Sequence, residues 1–258
     1  MEYRDIILEF ENSIGTITLN SPQTANALSE NMISEIISAL RFFHEDSSAK
    51  VIILKGNGKH FCSGHNLKEM IDRGVTEYKS IFEQCSKMML LIHEIPQIVI
   101  GRVHGVATAA GCQLAAQCDL VIAAESARFG TPGVKIGLFC TTPMIALSRC
   151  IGRKHALEML VTGGLITSGV AKEYGLVNHV TRDSELDNVT TELAKTICEA
   201  SPLTLSIGKK AFYTQIDMPE IKAYEHAVQV MSVNLMTQDA QNGIKAFLEK
   251  KAPEWKGL

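Results

Sequence analysis

Apolar residues alternate or run together over 5–10 (DIILEF) and 14–19 (IGTITL), on either side of Glu11–Asn12–Ser13, a pattern that predicts a β-hairpin. The turn-rich NSPQTANALS comes next. A helix is then expected from Ser29 to His44, because Met32, Ile33, Ile36, Ile37 and Leu40 recur at three- and four-residue steps and give it one buried face. VIILKG (51–56) has the continuous apolar character of a buried strand and ends in a Gly-Asn-Gly turn. Helical periodicity resumes across 77–94 and Pro96 breaks it. Two further strands are expected at IVIGRV (98–103) and DLVIAAES (119–126). Strand, Gly-containing bend and helix thus recur three times, irregularly, which argues for an α/β architecture of coiling strand–helix turns.

Beyond residue 140 the strand pattern almost vanishes. Helical spacing covers roughly 142–151, 154–162, 168–174, 184–200, 203–215 and 219–250. Ser201 is placed to cap the fifth of these helices, with Pro202 at its first position. The division expected is a core over 1–195 and a helical region over 196–258 that packs on another subunit.

Composition narrows the classes without choosing among them. The chain has 258 residues, 46% hydrophobic and 21% charged, with a formal net charge of −3. Basic residues come no more than two together (Lys209–Lys210, Lys250–Lys251), so no nucleic-acid partner is expected. The apolar stretches are too short or too interrupted to span a membrane. Seven cysteines, none in CxxC spacing, fit reduced thiols, with Cys112 and Cys118 expected in the core rather than on a metal. The N-terminal MEYRDIILEFENSIG reads as neither signal nor transit peptide, so a cytoplasmic protein is expected, or one of an organelle matrix if a presequence precedes residue 1.

Two stretches carry chemistry. In FCSGHNLKEM (61–70), Ser63–Gly64 lead into a run that reads as the start of a helix, so the N–H of His65 is a candidate donor to a developing oxyanion. In HGVATAAGCQLAAQCDL (104–120), the small side chains of Ala107, Ala109, Ala110 and Gly111 let a ligand approach the main chain, and the N–H of Ala110 is the second candidate donor. Taken singly, the first is equally a capped turn and the second a helix packed through small residues. Ser63 sits in no G-x-S-x-G elbow, and no phosphate loop or dinucleotide fingerprint is present.

Together with ITLNSPQTANALS, ITSGVAKEYGLVNHV and IKAFLEKKAPEW, these collinear stretches resemble the crotonase (enoyl-CoA hydratase/isomerase) superfamily over nearly the whole chain. GLFCTTP (137–143) and RKHALEMLVTG (153–163) resemble its domain-containing protein 3 branch. The resemblance implies a crotonase-type spiral of repeated strand–strand–helix turns with a C-terminal helical region, assembled as a trimer or dimer of trimers. It implies an acyl-CoA thioester as substrate, coenzyme A being part of that substrate and no separate cofactor or metal being needed. The two backbone donors fall on His65 and Ala110. The coenzyme and acyl contacts fall near Ala25 and Ala27, along Ser63, Gly64, His65, Asn66 and Leu67, and on Ala109, Ala110, Pro132, Leu138 and Cys140. Gln23 stands where a basic residue is usual.

The departures matter as much. The two acid–base glutamates of family hydratases align with Gln113 and Gly133, neither of which can exchange a proton. An enoyl-CoA hydratase-like enzyme with slow or absent ordinary hydration is therefore expected. A decarboxylase resembling methylmalonyl-CoA decarboxylase needs no carboxylate base, because loss of CO₂ itself creates the enolate. A non-catalytic acyl-CoA-binding protein is the third reading. The imidazole of His65 is either a pocket group or incidental to its backbone. Gln113 either orients a ligand or satisfies itself in the interior, Cys140 is expected as a small filler, and His104 is expected to be structural.

Overall fold

The N-terminal alternation folds as hairpin β1 (Ile6–Glu11) and β2 (Ile14–Leu19), its turn formed by Asn12 and Ser13, both at positive φ. The computed structural model describes residues 3–45 and 48–258; the first two residues of MEYRDIILEFENSIG, the segment expected to carry no targeting signal, lie outside the described residues. Helix α1 (Glu30–Glu45) buries Met32, Ile33, Ile36, Ala39, Leu40 and Phe43; of the residues expected on this face, Ile37 is only half-buried. Each large side chain taken fully out of water there contributes roughly 1.5–3 kcal/mol.

Strands β3 (Val51–Gly56), β4 (Ile98–Val103), β6 (Leu120–Ala124) and β9 (His179–Thr181) extend the hairpin into a six-stranded sheet of order β1-β2-β3-β4-β6-β9. Only β1 and β2 are antiparallel; every later pairing is parallel. Period two sorts β3 cleanly. Ile52 and Leu54 join the large core with α1 and α2 (Val75–Glu94), while Val51 and Ile53 join a smaller core under α7 (Leu186–Cys198). Burial on both faces explains why these strands read as unbroken apolar runs.

A second, three-stranded sheet sits beside the first: β5 (Val106–Thr108), β7 (Arg128–Gly130) and β8 (Leu165–Thr167), in the order β5-β7-β8. Helix α3 (Ala110–Gln117) leaves the end of β5. Helices α4 (Pro143–Cys150), α5 (Arg153–Thr162) and α6 (Ser168–Tyr174) complete the middle of the chain. These short three-residue strands, and β9, were not anticipated, because three residues leave no periodicity to read.

The C-terminal region holds α8 (Pro202–Gln215), α9 (Glu220–Leu235) and α10 (Gln238–Leu248). The single helical pattern over 219–250 is therefore two helices, broken at Met236–Thr237, where the Thr237 hydroxyl accepts the Ala240 N–H at 3.2 Å. Ser201 caps α8 as its sequence predicted. A buried ion pair ties α8 to the sheet. Lys209 donates to Asp119 at 2.7 Å and to the carbonyls of Ile92 and Gln97, and Tyr213 donates to the same carboxylate at 2.8 Å.

Candidate active site

The two chemistry-bearing stretches are brought edge to edge by backbone pairing. Phe61 N–H donates to His104 O, Cys62 N–H to Val106 O and Thr108 N–H back to Cys62 O, all at 3.0–3.1 Å. The Thr108 hydroxyl adds a bond to Ser63 O at 3.1 Å. The approach is close enough to dictate glycine at two positions. A Cβ on Gly64, whose φ is +101°, would lie 2.9 Å from Ala109 Cβ and 3.3 Å from the Ala110 nitrogen, and a Cβ on Gly111 would collide with Cys62 O.

His65 does not open a helix, contrary to the sequence reading. It forms an isolated parallel bridge with Leu28, flanked by Leu28 N–H donating to Gly64 O at 2.7 Å and Asn66 N–H donating to Leu28 O at 3.0 Å. The chain then makes one 3-10 turn, Leu67–Met70, capped by Asn66; α2 begins later, after Gly74. Alternation along an extended segment turns the His65 N–H away from Leu28, and it donates to no protein group among the described residues. The N–H of Ala110, at the first position of α3, is likewise without an acceptor, as helix geometry requires. Ala109 ahead of it is held at φ 50°, ψ −120°, its own N–H donating to Gly130 O at 2.9 Å. That backbone conformation is strained for any residue with a Cβ.

These two donors border one cavity of about 570 Å³, within the range of small-molecule sites. Of the residues anticipated for the site, Ala27, Ser63, His65, Leu67, Ala109 and Ala110 line it. So do Pro132, Gly133, Leu138 and Cys140. Ala25, Gly64, Asn66 and Gln113 do not line it. Ala25 instead holds the preceding loop, its carbonyl accepting the Ser63 N–H at 3.0 Å. Gln113 is 5% exposed on α3, and its Oε1 has no hydrogen-bond partner among the described residues.

Phe82, Met70, Ile136 and Phe139 also line the cavity and were not singled out from sequence. Phe82 carries a readable signal, a position on the inward side of α2. Asn26 was missed as well. At positive φ and fully buried, it accepts the Ser21 N–H and donates to Asn57 O and His60 O, locking the loop that carries Ala25 and Ala27. An Asn between two small residues in a turn-rich link is the sequence signal for such a lock.

Among the described residues, no aspartate or glutamate lines the cavity. The His65 imidazole packs edge-on to Phe82, with Nε2 buried and unpartnered. Burial holds its pKa down to about 4, so the ring is neutral at physiological pH. At Gly133 a Cβ would collide with Leu138 O and lie 2.7 Å from Cys140 Sγ, so a side chain there has no room. Burial raises the pKa of the Cys140 thiol, while the Gly133 N–H beside the sulfur acts in the opposite sense. His104 is structural, bonded to Arg102 and to Gly58 O, and Cys112 and Cys118 lie in the core.

Comparison with known proteins decides the lineage. The model of the enoyl-CoA hydratase/isomerase family matches residues 9–258. The chain belongs to that family. Similar to it is the mitochondrial enoyl-CoA hydratase domain-containing protein 3 of Xenopus laevis, 42% identical over 96% of this chain and 85% of the relative. Among solved structures it is similar to an enoyl-CoA hydratase of Mycobacterium smegmatis (43% identity, TM-score 0.96, 98% and 99% of the two chains covered). It is also similar to human enoyl-CoA hydratase domain-containing protein 3 (40% identity, TM-score 0.96, 98% and 100% covered). The crotonase fold expected from sequence is thus the fold of this enoyl-CoA hydratase/isomerase family member.

Proposed function

We propose that this family member binds an acyl-CoA thioester, with coenzyme A as part of the substrate and no further cofactor. The thioester oxygen is received by the N–H groups of His65 and Ala110. One observation carries the reading: two backbone donors with no protein acceptor border a single apolar cavity whose described lining contains no carboxylate. Preorganised donors of this kind stabilise an enolate without cost of reorganisation at the moment of reaction. With Gln113 and Gly133 in place of the hydratase glutamates, water has no base to activate it, and hydration loses a factor of about 10²–10⁴ for each proton transfer left unassisted. The enzyme therefore works on the carbon next to the thioester carbonyl rather than adding water across a double bond.

Decarboxylation is the second reading, favoured by the same missing carboxylates. Against it, the one cationic side chain in the described lining is the exposed Lys135, which leaves a buried substrate carboxylate without a partner. A non-catalytic binder is the third. The working assembly is a homotrimer or a dimer of trimers, supported by α9, which buries no residue within the chain and exposes Ile221, Tyr224, Val228 and Met231. The naming of several relatives as mitochondrial supports the organelle-matrix alternative. No described helix is long and apolar enough to cross a membrane.

Calorimetry with a series of acyl-CoAs, crotonyl-CoA hydration and CO₂ release from malonyl- and methylmalonyl-CoA test these readings together. Acyl-CoA binding with hydration far below family rates is expected. Hydration at ordinary family rates, abolished by Gln113→Ala, refutes the reading; CO₂ release establishes the decarboxylase.

A further inference from the structure

An enolate held by His65 N–H and Ala110 N–H must at some point exchange a proton at its α-carbon, the carbon that the oxyanion hole acidifies. Beside the weakly acidic hydroxyls of Ser63, Thr141 and Thr142, the described groups of the cavity wall that titrate are few: the imidazole of His65, the side-chain amine of Lys135 and the thiol of Cys140. Lys135 is exposed. The His65 ring is neutral and a weak base, its Nε2 buried and its edge against Phe82. Cys140 differs from both. It is 7% exposed, and its Sγ stands 2.7 Å from the point where a Gly133 side chain would begin, the position at which family hydratases carry their second glutamate.

We propose that Cys140 is the proton-transfer residue of this site, its thiol taking the place left by the absent second carboxylate. This deepens the acyl-CoA reading above and rests on it. The cavity of about 570 Å³ that Cys140 shares with the two N–H groups lacking a protein acceptor is a separate sign that a ligand, not protein, completes these walls. In the protonating direction the Cys140 S–H bond breaks and its proton forms the new Cα–H bond. The enolate electron pair becomes that bond, and the sulfur is left as thiolate. The Gly133 N–H is oriented to steady that charge, and solvent water returns the proton. In the reverse direction the thiolate removes the α-proton and the thioester oxygen takes up the charge. No oxidant or further reactant enters. A thiol kept protonated by burial is a ready acid toward an enolate, which is far more basic, and its conjugate base is a strong base when formed. Among the described residues, Cys112 of α3 also interacts with Cys140; it is fully buried, its pKa pushed up to about 12, and so neutral throughout the working range.

The test is α-hydrogen exchange by the full chain. Butanoyl- and octanoyl-CoA are incubated with it in D₂O and deuterium uptake is measured by mass spectrometry, with binding measured in parallel by calorimetry. Wild type is expected to exchange the α-hydrogens at a rate that rises with pH as thiolate accumulates. Cys140→Ala and Cys140→Ser are expected to lose about 10²–10⁴-fold in exchange, a loss far larger than any change in Kd, since Cys140 also lines the binding cavity. Bound octanoyl-CoA is expected to protect Cys140 of the unaltered chain from alkylation, which needs no variant to fold. Binding without exchange, exchange unchanged in both variants, or alkylation of Cys140 unaffected by ligand each overturns the proposal while leaving the acyl-CoA reading intact. Failure of both thioesters to bind removes that reading, and this one with it.

Discussion

Acidification probes the site through His65. Its pKa of about 4 in the folded chain compares with 6.5 for the free side chain, burial being the cause. Between those two values the unfolded chain binds a proton that the folded chain refuses. Unfolding free energy therefore rises with pH across that window and is lost as pH falls from 6.5 toward 4; below 4 both states are protonated and the slope vanishes. Integrated from pH 7 to pH 5, this one imidazole removes about 2 kcal/mol of stability, a fall of roughly 4–8 °C in Tm for a chain of this size. The assay is urea unfolding at pH 7, 6 and 5 of wild type and His65→Asn, whose amide does not titrate. Burial also lowers the pKa of His93 and His104, but both contribute equally to the two proteins and cancel in the difference. Equal pH slopes for the two proteins would refute the picture of a desolvated imidazole at position 65.

Packing sets the other expectations. Ala109→Gly relieves the strained φ of 50° ahead of α3 and should raise stability by about 1 kcal/mol after the entropy lost by glycine, read by chemical denaturation; a loss of stability would show that the Cβ is accommodated without strain. Gly133→Glu should cost about 1–3 kcal/mol or more through overpacking and gain no crotonyl-CoA hydration; a folded, hydrating variant would contradict the crowding around Gly133. Lys209→Met leaves the Asp119 carboxylate buried without its cation and should cost about 3–5 kcal/mol, little changed by added salt; a salt-sensitive loss below about 1 kcal/mol would mark the pair as effectively exposed.

The large elements were legible because each has a period. The α1 stripe, the buried runs of β3 and β4, and the Ser201–Pro202 start of α8 all satisfy a rule that acts within one turn or one strand. The second sheet was not, since β5, β7 and β8 owe their existence to neighbours distant in sequence, such as Arg128 opposite both Val106 and Thr167. The same limit explains His65. A Ser-Gly leading into polar and charged residues is a reasonable helix start, yet pairing with Leu28 holds the segment extended. The N–H of His65 is free of a protein acceptor, but for another local reason than the one expected, since an unpaired N–H arises on the free side of an isolated bridge as well as at a helix N-terminus. Cys140 was legible only as a small apolar residue. Its proximity to Gly133 depends on the turn through Leu138, which no local spacing encodes.

The two positions at which the hydratase glutamates were expected differ in kind. Gln113 has the length and shape of a glutamate, so a single substitution places a carboxyl group at that point of α3. That carboxyl would be buried among groups that offer its oxygen no partner, and burial would favour its neutral form. Gly133 has no such route back. Two neighbours occupy the space of its side chain, and one of them, Leu138 O, is backbone and cannot rotate away. A carboxylate at 133 requires the whole 133–140 turn to move, which would also carry Cys140 off its place beside the Gly133 N–H. Glutamate at 133 and the thiol at 140 in its present position therefore exclude one another. On the proposal above, a chain that keeps two free backbone donors while closing this space around a cysteine pairs them with a thiol rather than a carboxylate, because backbone donors alone do not move protons at carbon.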